Sequence, residues 1–205
     1  MVDDYILDIK KYAKDKNVPI MMDDGIKFLT NYIKETKRYN ILEIGTAIGY
    51  SSILMALQDE NIKVTTIEKD EVRYKEALKN IKNLGLDGRI NPIFNDALNV
   101  TLNDTYDLIF IDAAKSKNEE FFIKFSNNLK DNGVIITDNI NFHGLTNKDL
   151  SEIKSRDLRG LVRKIKNYKE FLINNKSYKT TFYDVGDGIS ISKKRWWYGN
   201  CCKTK

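Results

Sequence analysis

At 205 residues, with 41% hydrophobic and 31% charged residues, the chain has the length and balance of one globular domain with a proper core. No apolar run approaches the roughly 20 residues of a membrane span. The N-terminus carries Asp3, Asp4 and Asp8 instead of a signal peptide's basic and apolar regions, so the cytoplasm is the expected location.

A helical cap is expected over residues 1–38. Tyr5, Ile6, Ile9, Tyr12 and Ala13 recur at helical spacing between residues 3 and 16. An extended segment, Val18-Pro19-Ile20-Met21, follows. Asp23 and Asp24 are expected to cap a second helix, with Ile26, Leu29 and Ile33 on one face.

From residue 40 to 193 the pattern predicts a Rossmann-like core. Strands are expected at 41–44, 64–68, 90–94, 107–112 and 134–138. Helices are expected through Met55 and Leu57, from Asp70 to near Gly85, and ahead of Gly133. Strand and helix alternating at this rhythm mean βαβ units and a parallel sheet covered on both faces. A long helix at 157–174 follows, with Leu158, Leu161, Val162, Ile165, Phe171 and Leu172 as its core stripe. Strands at 181–185 and 189–192 flank Gly186-Asp187-Gly188 and predict a closing antiparallel hairpin. The expected class is thus α/β, a parallel sheet with a C-terminal β-hairpin and helices on both faces. That architecture is typical of S-adenosylmethionine (SAM)-dependent methyltransferases; a dehydrogenase sheet stays parallel. The last segment, 194–205, reads as a disordered tail. It mixes Lys194 and Arg195 with Trp196, Trp197 and Tyr198, and holds Cys201 and Cys202, adjacent thiols expected to stay reduced.

Glu43-Ile44-Gly45-Thr46-Ala47-Ile48-Gly49 leaves the first strand and opens a helix. Its glycines permit a tight turn and close approach of backbone to a ligand. A carboxylate at Glu43 suits a cationic methionine moiety and not a pyrophosphate. The same spacing also serves plain strand-to-helix turns. Glu68, at the end of the second strand, is placed to accept ribose hydroxyls. Asp96, within Asn95-Asp96-Ala97, reads either as an adenine contact or as a helix cap.

Asp112 closes the fourth strand, and Asp138 with Asn139 closes the fifth. Neighbouring strands would bring these three oxygen ligands to one crevice, a set suited to Mg²⁺ or another hard divalent cation. Such a cation lowers the pKa of a bound hydroxyl and prepares it for in-line attack on a sulfonium methyl. Lys115 reads either as a solvated lysine or as the group that steadies the oxyanion or takes its proton. His143, the one histidine, is not assigned a catalytic role. Arg156, Arg159, Arg163 and Lys166, flanked by Lys164 and Lys169, lie near one face of the long helix. Such a stripe is either a solvated surface or a place for RNA phosphates, and a net charge of +5 permits such a partner without demanding one.

Five stretches carry a family resemblance: Val18-Pro19-Ile20-Met21, residues 41–51, residues 110–115, residues 135–139 with Phe142-His143-Gly144, and residues 185–193. Together they resemble the cation-dependent O-methyltransferases that include the catechol and caffeoyl-CoA enzymes. Within that family the pattern is most similar to the bacterial enzymes acting on 5-hydroxyuridine of tRNA. The resemblance implies methylation of 5-hydroxyuridine at the wobble position to 5-methoxyuridine, with catechol- or caffeoyl-CoA-like small molecules as the alternative acceptors. It implies Mg²⁺ at Asp112, Asp138 and Asn139; Asp112 and Lys115 are the candidate catalytic residues. It places SAM against Met21, Glu43, Gly45, Ser51, Glu68, Ala97 and Asp112. It also implies a homodimer and a tRNA anticodon region as partner.

Overall fold

Continuous apolar runs suit strands that are covered on both faces. Ile41-Leu42-Glu43-Ile44 and Leu108-Ile109-Phe110-Ile111 meet that need at the centre of the sheet. In a computed structural model, which describes residues 2–195, the elements run α1 (Val2–Asp15), α2 (Asp23–Thr36), β1 (Asn40–Ile44), α3 (Tyr50–Ala56), β2 (Lys63–Glu68), α4 (Glu71–Asn83), β3 (Ile90–Phe94), β4 (Tyr106–Ile111), α5 (Asn118–Phe125), β5 (Leu129–Thr137), α6 (Arg156–Asn174), β6 (Tyr178–Tyr183) and β7 (Ile189–Lys194). The seven strands lie in the order β3-β2-β1-β4-β5-β7-β6. The first five are parallel, and β7 runs antiparallel to both β5 and β6. The expected closing hairpin is present.

Alternation along the strands sends successive side chains to opposite layers. Ile41, Leu108, Phe110 and Ile136 pack with the α1–α4 layer. Leu42, Ile44, Ile109, Ile111 and Ile135 pack under α5 and α6. Strand order reverses between β1 and β4, the place where an open α/β sheet leaves a crevice at its carboxyl edge. Ile44 pairs with Ile111, and Ile111 with Thr137. The next residues, Gly45, Asp112 and Asp138, therefore leave the sheet side by side.

Several elements differ from expectation. Met22 is the N-cap of α2, and Asp23 and Asp24 occupy its first turn, where carboxylates still complement the helix dipole. Asp23 pairs with Lys10 at 2.6 Å, and Asp24 accepts from the Gly25 and Gly186 amides. β5 begins at Leu129 instead of after Gly133, with a register irregularity between its Tyr106 and Leu108 pairings. A Cβ at Gly133 would stand 2.7 Å from the Leu129 side chain, so the glycine fits that kink. β7 continues through Lys194, whose Nζ donates to the Leu129 carbonyl, and the Arg195 amide bonds Ser177. The remainder of the expected tail, Trp196 to Lys205, lies outside the described residues. Among those described, no helix is long and apolar enough to cross a membrane.

Candidate active site

The loop after β1 turns on Gly45, at φ +105°, where a Cβ would stand 2.3 Å from the Asp112 carbonyl oxygen. Only glycine lets the loop pass that close to the end of β4. Gly45→Ala is expected to destabilise the protein by at least about 2 kcal/mol through dihedral strain and backbone clash. Gly85, at φ +65° with open space around it, supplies the control. Gly85→Ala should cost only about 1–2 kcal/mol, the left-handed penalty alone. Equal losses on urea denaturation would mean that the approach to Asp112 is not limiting.

Glu68 lines the crevice, 8% exposed. Its Oε2 accepts from the Ala47 amide at 2.8 Å, and its Oε1 accepts from the Lys69 and Asp70 amides at 2.9 Å. Three of roughly four carboxylate acceptor positions are thus engaged in holding the loop, leaving about one for a ligand hydroxyl. Asp96 caps a short 3-10 turn by accepting from the Leu98 amide, as the helix-cap reading expects, and it also lines the cavity. Met21, Gly45, Ser51 and Ala97 line the same cavity.

Glu43 departs from expectation: it does not line the cavity. Its carboxylate is wholly buried behind the loop and accepts from Ser51 Oγ at 2.5 Å, from Thr66 Oγ1 at 2.5 Å and from Ser52 Oγ. Ser51 stands between it and the cavity. The reason is strand alternation, which sends Glu43 into the layer that holds α3 and its serines. Burial pushes the carboxyl up to about 7, against the pull of the three hydroxyls.

The cavity, about 530 Å³, lies within the range of small-molecule sites. It continues from these residues to Asp112, Lys115, Asp138, Asn139, Phe142, His143 and Asp187. Asp138 is 2% exposed, and its Oδ1 is buried with no hydrogen-bond partner. Burial and, second, the Asp112 charge push its carboxyl up to about 7. Lys115 Nζ sits 2.6 Å from Asp112 Oδ1, both side chains about four-fifths covered. Asn139 holds φ +59°, and its Nδ2 donates to Asp187 Oδ2 at 3.3 Å.

Among the described residues, no group of three or more histidine, cysteine or acidic side chains could hold a metal ion. The set here is two carboxylates and an amide. All three offer hard oxygen donors, and one is a buried carboxylate oxygen lacking a partner. That donor chemistry fits a divalent cation with water or substrate completing its shell.

Asp187 and Tyr50 are not singled out by the sequence pattern, yet both line the cavity. A lone aspartate between two glycines reads as turn chemistry; its position opposite Asn139 depends on a contact 48 residues distant in the chain. The cationic row on α6 lies outside the cavity lining. Arg156 and Arg163 are exposed. Arg159 donates to the Ile153 and Lys154 carbonyls, and Lys166 to the Lys148 carbonyl. Half of the expected RNA stripe is therefore engaged with the protein's own backbone.

The chain is similar to several known proteins. A caffeoyl-CoA O-methyltransferase of Populus kitakamiensis is 28% identical over 193 residues, covering 90% of this chain and 82% of the relative. A flavonoid 3',5'-methyltransferase of Vitis vinifera is 26% identical, covering 90% and 81%. The structure of a provisionally assigned caffeoyl-CoA O-methyltransferase from Staphylococcus aureus superposes with a TM-score of 0.88 at 36% identity, covering 93% and 92%. An O-methyltransferase from Bacillus cereus, solved in complex with SAH, gives 0.77 at 26% identity, covering 94% and 91%. Residues 3–195, nearly the whole chain, match the sequence profile described as O-methyltransferase, and the chain belongs to that family.

Proposed function

We propose that the chain transfers the methyl group of SAM, in the cytoplasm, to one hydroxyl of a small catechol-like acceptor such as a caffeoyl ester. One observation carries the reading. The partnerless, buried Asp138 carboxylate oxygen shares a cavity with the glycine loop, Glu68 and Asp96. A divalent cation held by Asp112, Asp138 and Asn139 would supply the charge that lowers the acceptor hydroxyl's pKa. The chain's own residues do the rest. Glu68 and the Gly45 loop position the nucleoside end of the donor. Lys115 keeps an ammonium beside the carboxylate pair, where it steadies the acceptor oxyanion. Phe142 and Tyr50 give the cavity aromatic lining suited to a phenolic ring. The caffeoyl-CoA and flavonoid names among the relatives support a phenolic acceptor.

A second reading, 5-hydroxyuridine at the tRNA wobble position, is favoured by the exposed Arg156 and Arg163 on α6. Its 5-hydroxyl is an acidic enol beside a carbonyl oxygen, which presents two adjacent oxygens as a catechol does. The test is incubation with methyl-labelled SAM and Mg²⁺, offering caffeoyl-CoA, a simple catechol or tRNA bearing 5-hydroxyuridine. Label in the phenols supports the first reading. Label in tRNA alone replaces it with the second. Transfer undiminished by excess chelator would remove the cation from both.

A further inference from the structure

Four residues of the segment that follows β5 sit in the left-handed region: Asn139 (φ +59°), Phe142 (+45°), His143 (+54°) and Gly144 (+74°). Three of them carry side chains that disfavour this conformation, so the surroundings must impose it. The hairpin turn at 185–188 does so. The Ile140 amide donates to the Gly188 carbonyl at 3.0 Å and the Asn141 amide to the Asp187 carbonyl at 2.9 Å. A Cβ at Gly188 would stand 2.5 Å from the Asn141 side chain, so the two segments are in close contact. The turn is in turn fixed to α2 by the Gly186 amide, which donates to Asp24.

Inside this contact lies Asp187, 6% exposed. Its Oδ1 accepts from the His143 amide at 2.5 Å, and its Oδ2 accepts from Asn139 Nδ2 at 3.3 Å. The His143 ring, 75% exposed, keeps Nδ1 3.7 Å from the same Oδ2. One carboxylate therefore ties both ends of the 139–143 segment.

We infer that Asp187 is a positioning residue for the cation site: it dictates which end of the Asn139 side-chain amide is offered to the cation. The inference rests on the proposed cation at Asp112, Asp138 and Asn139. A carboxylate can only accept, so the edge of Asn139 that faces it must be the NH₂ group. Oδ1, the only end a hard cation would take, is then the end left over. An asparagine in place of Asp187 reverses this. Its single carbonyl oxygen can serve the His143 amide and keep the segment closed. Its NH₂ group then faces Asn139, which must turn its own oxygen inward and its NH₂ outward. Fold and cofactor site are retained while the cation loses a ligand.

The experiment is Mn²⁺ titration of the full chain followed by electron paramagnetic resonance, beside calorimetric SAM binding and thermal melting. Asp187→Asn is expected to weaken Mn²⁺ binding by about 10- to 100-fold, the usual effect of losing a group that orients a ligand. SAM affinity and the melting midpoint should stay at the wild-type values. The double exchange, Asn139→Asp with Asp187→Asn, restores a matched pair in which the introduced carboxylate accepts from the introduced amide, and it should recover Mn²⁺ binding. A role limited to closing the loop predicts no such loss in Asp187→Asn. Wild-type Mn²⁺ affinity in that variant overturns the inference and leaves the cation reading standing. If Asp187→Asn does not fold, the double exchange decides, a protein with no Mn²⁺ binding counting against the inference. A wild-type chain that binds no Mn²⁺ overturns both.

Discussion

Asp138→Ala is expected to lower methyl transfer by at least about 10³-fold. Lewis-acid stabilisation is worth several kcal/mol, and each 1.4 kcal/mol is about tenfold in rate. Asp138 is the most enclosed of the three proposed ligands, and its free Oδ1 has no other partner. SAM affinity should persist, because the loop that would hold the donor is fixed by Glu68 through the Ala47 amide and not by the Asp138 side chain. Stability should move the opposite way from activity. Burial and Asp112 push the Asp138 carboxyl up to about 7, so its charged form is disfavoured in the folded state. A raised acid binds its proton more tightly folded than unfolded. The unfavourable contribution is therefore absent below the ordinary carboxylate range, grows as pH rises, and is complete above about pH 7. The alanine variant should melt at or above the wild-type temperature, with the difference largest above neutrality. Scintillation counting of transferred methyl, calorimetry with SAM, and melting across pH read the three quantities. Transfer above a tenth of wild type, or loss of SAM binding along with transfer, would count against the assignment.

Some of this site is legible in the sequence and some is not, for reasons that differ by residue. Asp112 and Asp138 can be placed because both end apolar runs, and parallel register converts strand ends into neighbours. Glu43 is visible as a carboxylate beside the glycine loop, but its burial behind the loop, off the cavity wall, is not. The Ile41-Leu42-Glu43-Ile44 run is apolar on both faces, so its pattern does not indicate which layer receives the odd residue. Tyr168 is absent from the expected α6 stripe because tyrosine is ambivalent; it is 1% exposed, with its hydroxyl 2.8 Å from Thr137 Oγ1. Arg159 and Lys166 sit where a charged stripe is expected, yet their partners are backbone carbonyls, which a sequence does not display. Asp187 belongs with these: its role exists only when the hairpin folds against the segment after β5.

Glu43→Gln is expected to remove a pH dependence from both stability and cofactor binding. Glu43 is fully buried, and burial outweighs three hydroxyl donors in setting its carboxyl at about 7, against 4.5 for an ordinary glutamate. Folded protein therefore binds the proton more tightly than unfolded chain. Between those two values the wild type should lose stability as pH rises, by up to about 3 kcal/mol at about 1.36 kcal/mol per unit. Glutamine keeps the volume and can accept from Ser52 and Thr66 with its one oxygen while its NH₂ group donates to Ser51 Oγ, but it does not titrate, so its melting curve should be flat in this respect. The methionine moiety of SAM is cationic, and Ser51 both lines the cavity and donates to the Glu43 carboxylate behind it. A cation there favours the ionised form, so binding should release a proton below about pH 7 and tighten as pH rises through that value. In the glutamine variant, proton release should vanish and affinity fall about tenfold, the equivalent of one charge-assisted interaction of about 1.4 kcal/mol. Calorimetry in two buffers of different ionisation enthalpy measures the released proton directly. Equal release from wild type and Glu43→Gln would mean that another group carries it, and that Glu43 only braces the loop.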